Sequence, residues 1–201
     1  GEACAKIFAK EGAIVIVSDI QDKLGKDLSK TIGHGSVYEH LNVKEEKDWI
    51  RVCEKIKKEH AKLDVLVNNA GITGFIPPIG PQDPEHASLT SWQDVHRVNL
   101  DGVFLGCKYA ISLMKEKGGS IINISSRSGL VGIPRAAAYA SSKAAVRNHT
   151  KTVALYCAEE GYKIRCNSIH PAAILTPMWD PMLGKGEERK KMIKEFSKDN
   201  P

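Results

Sequence analysis

The stretch LDVLVNNAG, residues 63–71, joins an apolar run to two asparagines, an alanine and a glycine. A short apolar run of this kind is typical of a strand that is buried on both faces of a parallel sheet. Ligands of open α/β sheets bind at the carboxyl ends of the strands. Small residues there would let a ligand approach the backbone, and asparagine side chains could tie adjacent strand ends together. A plain Asn-Gly turn is the alternative interpretation.

Strands and helices alternate on both sides of this stretch. The predicted strands cover residues 13–20, 36–43, 63–71, 118–126 and 163–171, and the predicted helices cover residues 1–12, 22–32, 44–60, 91–117 and 138–160. Such alternation indicates β-α-β units with helices on both faces of a sheet. We therefore expect an α/β fold with a doubly wound parallel sheet, Rossmann-like, in a single domain over residues 1–201.

Composition excludes several classes of protein. The chain has 42% hydrophobic and 26% charged residues, which is typical of a soluble globular protein. Its net charge of +5 is modest, and the basic run 184–198 contains three glutamates, so we interpret that run as a solvated helix face. A nucleic-acid patch is the alternative. Five cysteines without a C-x-x-C pair predict reduced thiols and a cytoplasmic location, and the histidine spacing predicts no metal site.

Asp19 ends the strand predicted for residues 13–20. A carboxylate at that position can accept hydrogen bonds from the ribose hydroxyls of adenosine, and it repels a 2′-phosphate. The first cation after it is Lys23, so the sequence favours NAD over NADP. A surface turn or a helix cap is the alternative. The pair Gly33 and Gly35 follows a helix instead of a strand, so we interpret it as a helix stop and not as a pyrophosphate-binding turn.

Three further residues suggest proton-transfer chemistry. Ser126 closes the strand predicted for residues 118–126, and Tyr139 and Lys143 lie at i and i+4 of the next helix, so their side chains share a face. A free tyrosine has a pKa of about 10 and is a poor base at neutral pH, but a nearby ammonium favours the phenolate. Such a set can move a proton at a carbinol oxygen while a hydride leaves the carbon.

Asn99 lies within the long helix predicted for residues 91–117, which we expect Ser91 to cap, with Asp94 three residues on. Asparagine is a poor helix former, and the neighbouring valines suggest that this stretch is buried. A local bend that holds a water molecule is one interpretation, and an asparagine facing solvent is the other.

The ordered set S-x12-Y-x3-K, with NNAG upstream and an asparagine in the intervening helix, resembles the short-chain dehydrogenase/reductase family. The resemblance covers essentially all of the chain and includes GGSIINISS, AAYASSKAAV and IRCNSIHPAAILTPM. It is strongest to the bacterial hydroxysteroid and cyclic-alcohol dehydrogenases of that family. It implies a small-molecule substrate and a homotetramer or dimer, with neither a nucleic-acid nor a membrane partner.

The resemblance also implies roles for individual residues. Tyr139 would be the general acid/base and Ser126 would orient the substrate oxygen. Lys143 would bind the nicotinamide ribose and favour the phenolate, and Asn99 would hold a water molecule in a proton relay. The cofactor-binding residues that it implies are Asp19, Asn42, Val43, Asn69, Ala70, Gly71, Tyr139, Lys143, Pro171, Ala172, Ile174 and Thr176.

The chain departs from the family pattern at several points. Pro171-Ala172 stands where Pro-Gly is usual, and Asn42 stands where an aspartate is usual. Gly1 matches the last glycine of the family's glycine-rich turn, and the strand before that turn is not in the sequence. We therefore expect these 201 residues to belong to a domain of roughly 250 residues that is incomplete here at both ends.

The expected substrate side is largely apolar, which suits a secondary alcohol or ketone on a hydrophobic, cyclic skeleton. Its candidate contacts are Ser126, Arg127, Ile133, Met178 and Trp179, with Ile72, Phe75, Ile76, Leu130, Val131 and Met182 nearby. The alternative is that half of these side chains only pack the loops. Two other functions compete with an NAD-dependent dehydrogenase: a non-catalytic NAD(H)-binding sensor or scaffold, and a basic nucleic-acid binder.

Overall fold

The structure is a computed structural model and describes residues 1–75 and 80–197. Five short strands alternate with the helices along the chain. The elements are α1 (Glu2–Lys10), β1 (Ile16–Asp19), α2 (Asp22–Ile32), β2 (Val37–His40), α3 (Glu46–His60), β3 (Val65–Asn68), α4 (Leu89–His96), a π-helical turn (Arg97–Asp101), α5 (Gly102–Met114), β4 (Gly119–Ile124), α6 (Ala137–Glu159), β5 (Ile164–Ile169), α7 (Asp180–Leu183) and α8 (Gly186–Phe196).

Every strand pairing in the described part of the chain is parallel. β1 pairs with β2, with Ile16 opposite Val37. β4 lies between β3 and β5, with Ser120 opposite Val65 and Gly119 opposite Ile164. The α/β fold with parallel strands that the alternation predicts is therefore confirmed. These strands form two sheets, β1-β2 and β3-β4-β5, instead of one continuous sheet.

Two apolar clusters hold the helices against the strands. The larger cluster joins α5 and α6 to β4 and β5, and the smaller one joins α3 to α5. Their buried members are Val103, Cys107, Ala110, Met114, Ile121, Val146, Val153, Cys157, Ile164 and Cys166 in the first, and Leu41, Trp49, Val52, Cys53, Ile56 and Leu105 in the second. The core therefore lies beneath the three-stranded sheet and supports the ends of β3, β4 and β5.

The apolar run 13–20 predicts a strand that is buried on both faces, and the spacing of Leu24, Leu28 and Ile32 predicts an apolar stripe on α2. Both predictions are wrong. Ser18 and Asp19 are exposed, and Leu24 has 62% of its surface exposed. The buried residues of α2 are Gly25 and Ser29, because the Tyr38 ring lies against the helix where a Cβ of residue 25 would be. Gly25 therefore allows α2 to pack closely on β2. Gly33, at a φ of 62°, ends α2 as predicted.

The long helix predicted over residues 91–117 is divided. α4 begins at Leu89, and the Ser88 side chain caps it by accepting a hydrogen bond from the Ser91 N–H at 3.1 Å. Ser91 is not the cap because its side chain is buried and accepts a hydrogen bond from Gln82 Nε2 at 2.7 Å. The π-helical turn then separates α4 from α5. Among the described residues, no helix combines the length and apolar character that crossing a membrane requires.

Candidate active site

Lys143 is buried on the first turns of α6, with 4% of its surface exposed. Its Nζ donates a hydrogen bond to the Ile124 carbonyl at 2.8 Å and lies 5.8 Å from the centroid of the Tyr139 ring. Burial lowers the pKa of Lys143 to about 8, because a low-dielectric environment disfavours the charged form. The i and i+4 spacing thus places the ammonium and the phenol on one helix face, next to the carboxyl end of β4.

Ser126 lies just beyond β4, in a segment that is packed tightly against α6. The neighbouring Ser125 Oγ donates to the Lys143 carbonyl at 2.7 Å, and a Cβ on Gly129 would lie 2.7 Å from that carbonyl. Ser126 itself is buried, and its Oγ accepts a hydrogen bond from the Ser128 N–H at 3.1 Å. Since that bond occupies the oxygen as an acceptor, the hydroxyl hydrogen remains available for donation.

Asn99 lies in the π-helical turn, and its side chain joins the loop after β3 to α6. It is fully buried, so the interpretation of a solvent-facing asparagine is wrong. Its Oδ1 accepts from the Ile72 N–H at 2.8 Å, and its Nδ2 donates to the Ile72 carbonyl at 2.9 Å and to Ser142 Oγ at 3.1 Å. π-Helical turns occur often at functional sites. The water molecule expected beside Asn99 stays a prediction.

Gly71 brings these groups together. A Cβ at this position would lie 3.2 Å from Asn99 Oδ1 and 3.4 Å from Lys143 Nζ. Any larger side chain would therefore press on both groups. The carboxyl end of β3, the π-helical turn and α6 consequently meet at one point, where the sequence placed three separate candidate residues.

A buried polar network lies beneath this point and ties the strands together. Asn68 Nδ2 donates to Asn123 Oδ1 at 2.8 Å, and Asn123 Nδ2 donates to Thr150 Oγ1 at 2.9 Å. The prediction that asparagines tie adjacent strand ends is confirmed for Asn68. Sequence reasoning missed Asn123 and Thr150, although the alternation within GGSIINISS would have placed Asn123 on the face of Ile121, which is fully buried.

Six of the residues expected to bind the cofactor line one cavity. They are Asp19, Asn42, Val43, Asn69, Ala70 and Gly71. The cavity lies between the two sheets, and residues of α1, β1 and β3 form much of its wall. Small residues at the end of β3 and a carboxylate at the end of β1 fit a dinucleotide, which needs close backbone approach and a ribose acceptor.

Local hydrogen bonds fix the polar groups of this cavity. Asp19 Oδ1 accepts from the Gln21 N–H at 3.0 Å, and the Asp19 carbonyl accepts from the Tyr38 hydroxyl at 2.6 Å. Asn42 Oδ1 accepts from the Lys44 N–H at 3.3 Å, while the Asn42 N–H donates to Asp48 Oδ2 at 2.9 Å. The side-chain oxygens of Asp19 and Asn42 thus accept local N–H groups, and the Asp19 side chain stays exposed.

The backbone of Val43 is held in the same region, because its carbonyl accepts a hydrogen bond from Trp49 Nε1 at 3.0 Å.

The segment after β5 holds the remaining candidates. The Pro171 carbonyl accepts from the Arg127 N–H at 2.9 Å, which places this segment beside Ser126. Met178 lines the cavity, so the cofactor and substrate candidates share one opening there. The exposed residues of this set are Arg127, Ala172, Ile174, Thr176 and Met178, and Ile133 and Trp179 are half-buried. The substrate candidate Ile76 lies outside the described residues.

Among the described residues, two other groups of reactive side chains lie outside this candidate site. The five cysteines are all thiols, as predicted. Asp83, Glu85 and His86 have ligand atoms within 4.8 Å of one another, and they lie in the loop before α4. Glu85 and His86 are exposed, and exposed acidic groups of this kind are common without a metal ion.

The family described as enoyl-(acyl carrier protein) reductase matches residues 1–200 of the chain. The chain belongs to the short-chain dehydrogenase/reductase family, as its ordered motifs suggest. This family consists of oxidoreductases that use a nicotinamide cofactor.

Named relatives agree with this assignment. The 3-beta-hydroxysteroid dehydrogenase of Comamonas testosteroni is 39% identical over 193 residues, which are 96% of this chain and 74% of the relative. The 3-alpha-(or 20-beta)-hydroxysteroid dehydrogenase of Mycobacterium tuberculosis strain H37Rv is 41% identical over 181 residues, 90% of this chain and 66% of the relative. The cyclopentanol dehydrogenase of Comamonas sp. is 38% identical over 191 residues, 93% of this chain and 73% of the relative. The chain thus spans about two thirds to three quarters of the length of these relatives.

Proposed function

We propose that the protein is an NAD-dependent dehydrogenase that interconverts a secondary alcohol and a ketone on an apolar, cyclic skeleton. The observation that carries the proposal is the position of Lys143. Its buried Nζ is hydrogen-bonded to the Ile124 carbonyl and lies 5.8 Å from the centroid of the Tyr139 ring. Ser126 follows Ile124 by two residues along the chain. The hydrogen bond holds the buried cation in place, and a positive charge beside a phenol has an immediate chemical use because it favours the phenolate.

The residues would act on one oxygen atom of the substrate. The Tyr139 phenolate takes the proton of the carbinol during oxidation, and the resulting hydroxyl returns it during reduction. The Ser126 hydroxyl donates a hydrogen bond to the same oxygen and holds it in place. Lys143 favours the phenolate form of Tyr139 by its charge and keeps that charge at pH 7, since its pKa is about 8. A nicotinamide cofactor, when bound, supplies or accepts the hydride at the carbinol carbon.

We base the proposed preference for NAD on the carboxylate of Asp19. It is exposed at the end of β1 and lines the cavity. One relative is named as an NADP-dependent enzyme, so membership of the family does not decide the cofactor. A carboxylate at this position repels a 2′-phosphate and accepts hydrogen bonds from two ribose hydroxyls.

We base the proposal of an apolar substrate on the exposed hydrophobic side chains around the opening. Leu130, Val131, Ile174, Leu175 and Met178 are exposed hydrophobic residues on the two segments that flank Ser126. Relatives named for hydroxysteroids and for cyclopentanol support a cyclic skeleton. An assay of steroid and cyclopentanol substrates against small polyols tests this part, and faster turnover of the polyols would contradict it.

Tyr139→Phe tests the central proposal in the full-length protein. It removes one hydroxyl and leaves the ring beside Lys143, so we expect dehydrogenase activity to fall about 10²–10⁴-fold. NADH binding, followed by its fluorescence, should not change. Tyr162→Phe is the matched control, because this tyrosine packs against the core beyond α6 and should keep full activity. Full activity of Tyr139→Phe would show that Tyr139 is not the acid–base residue. NADH binding without any dehydrogenase activity in the wild type would favour a non-catalytic NAD(H)-binding protein instead.

We further propose that the protein is a homo-oligomer, a tetramer or a dimer, in the cytoplasm. Small residues near the start of α6 would allow a second copy to approach closely. However, Ala136 and Ala138 are buried within the chain itself, so they are not available for such a contact. Phe104 on α5 and Leu155 and Tyr156 on α6 are exposed and form apolar surface, with Leu155 71% exposed. Light scattering of the purified protein tests the proposal, and a monomer at working concentration would contradict it.

The proposed location in the cytoplasm rests on the five thiols, which support a reducing compartment.

A further inference from the structure

His170 follows β5 directly, and its imidazole ring spans two polar groups. Nδ1 lies 3.2 Å from the Ser126 carbonyl oxygen, and Nε2 lies 2.9 Å from Ser168 Oγ. The ring is half-buried and bridges the segments that follow β4 and β5. His170 lies within the segment IRCNSIHPAAILTPM, but the sequence analysis gave it no role.

These two contacts define the tautomer of the ring. A carbonyl oxygen can only accept a hydrogen bond, so Nδ1 must carry the hydrogen that faces Ser126. In the neutral ring Nε2 then has no hydrogen, and it accepts the hydroxyl hydrogen of Ser168. Since the neutral imidazole is a donor on one side and an acceptor on the other, both of its nitrogens are satisfied.

Two backbone hydrogen bonds join the same two segments, and both run in one direction. The Ser125 N–H donates to the Ile169 carbonyl at 2.8 Å, and the Arg127 N–H donates to the Pro171 carbonyl at 2.9 Å. Both of these bonds run from the segment after β4 to the segment after β5. Pro171 has no N–H and cannot donate in the opposite direction. His170 supplies a donor in that direction from its ring.

We propose that His170 is a positioning residue for Ser126. The inference rests on the proposed function, in which the Ser126 hydroxyl orients the substrate oxygen. The Ser126 carbonyl also accepts the Gly129 N–H at 2.9 Å, so a local turn and a cross-strand donor hold the same peptide. The turn sets the local shape, whereas His170 sets the distance of that turn from the segment that carries Pro171. A hydroxyl on this backbone must be held within a fraction of an ångström for efficient catalysis.

Two substitutions of His170 distinguish a role as hydrogen-bond donor from a role that depends only on the bulk of the side chain. Asparagine offers an N–H donor close to the position of Nδ1, and leucine has a similar bulk and no donor. We expect His170→Leu to lower kcat about five- to tenfold, as for the loss of one hydrogen bond, with the KM for the cofactor unchanged. His170→Asn should restore most of kcat. Equal activity of the two variants, at either the wild-type or the lowered level, would overturn the proposal.

A measurement without turnover tests the same contact. The ¹⁵N chemical shifts of the His170 ring in the full-length protein should report a protonated Nδ1 and an unprotonated Nε2 at pH 7.5. Ser168→Ala removes the partner of Nε2 and should leave Nδ1 protonated. A ring protonated at Nε2 alone would refute the contact with Ser126. If instead the wild type showed no dehydrogenase activity while Nδ1 stayed protonated, the proposed function would fail and the contact between His170 and Ser126 would stand.

Discussion

The proton-transfer region (Asn99, Ile124–Ser126 and Tyr139–Lys143) and the cofactor region (Asp19, Asn42, Val43 and Asn69–Gly71) are built in different ways. In the first, buried polar groups contact groups on other elements, as Lys143 does with Ile124 and Asn99 with Ile72 and Ser142. In the second, Asp19 and Asn42 accept bonds from residues two positions along the chain. The chain therefore fixes the first region by itself and leaves hydrogen-bonding capacity for a ligand in the second.

This difference predicts how each region responds to substitution. A buried polar group that loses its partner incurs the full cost of desolvation, so changes in the proton-transfer region should affect both stability and activity. An exposed side chain that only faces a ligand contributes little to folding. Changes in the cofactor region should therefore alter ligand preference and leave stability nearly unchanged.

The largest effect is expected from Lys143→Met. The variant keeps much of the buried bulk but removes the ammonium beside Tyr139 and leaves the Ile124 carbonyl without its donor. We expect kcat to fall about 10²–10⁴-fold, because acid–base catalysis by Tyr139 then lacks the charge that favours its phenolate form. Lys151→Met, an exposed lysine of the same helix, is the control and should keep full activity. A loss below tenfold would show that the region works without the buried cation.

Lys143 should also leave a signature in the pH dependence of stability. Its folded-state pKa of about 8 is below its unfolded value near 10.5, so between these values the unfolded chain binds more protons than the folded one. Stability due to this group therefore rises as the pH increases through that window, and it is flat below pH 8. The free energy of unfolding of the wild type minus that of Lys143→Met should therefore increase by about 3 kcal/mol as the pH rises through this window.

Urea unfolding of both proteins without cofactor at pH 7, 8, 9 and 10 measures this difference. Other titrating groups are common to the two proteins and largely cancel. A difference that stays constant across the series would mean that Lys143 is not desolvated in the folded protein.

Gly106→Ala tests the polar network beneath the proton-transfer region. A Cβ on Gly106, in α5, would overlap Asn68 Oδ1, and Asn68 is hydrogen-bonded to Asn123. We expect a loss of about 1–3 kcal/mol in the free energy of unfolding, because the amide must move or lose its partner. Gly132→Ala is the control, since a Cβ there meets nothing within 4 Å. Equal stability of the two variants would indicate that the network rearranges freely.

Sequence reasoning succeeded where one element decides the outcome. The i and i+4 spacing of Tyr139 and Lys143 and the strand end at Asp19 depend only on local periodicity. It failed where another element intervenes. Leu24 is exposed because Tyr38 packs against Gly25, and Ser91 does not cap α4 because Gln82 binds its hydroxyl.

His170 and Thr150 could not be recognised from local patterns for the same reason. Their partners, Ser126 and Asn123, are 44 and 27 residues away along the chain. Only the packing of β4 against β5 and α6 brings these groups together.

The smallest effect is expected in the cofactor region, from Asp19→Asn. The amide keeps an oxygen that can accept the Gln21 N–H, but it removes the negative charge that would repel a 2′-phosphate. The ratio of kcat/KM for NAD to that for NADP should fall about tenfold, which corresponds to about 1.4 kcal/mol. The free energy of unfolding should stay within about 0.5 kcal/mol of wild type.

Glu54→Gln is the control for charge alone, because Glu54 is exposed on α3 and is not part of the cavity lining. It should change neither the cofactor ratio nor stability. An unchanged ratio in Asp19→Asn would mean that this carboxylate does not face the ribose. A loss of stability as large as that of Gly106→Ala would mean that the cofactor region, like the proton-transfer region, depends on its polar groups to fold. The contrast between the two regions therefore depends on measuring both quantities in the same variant.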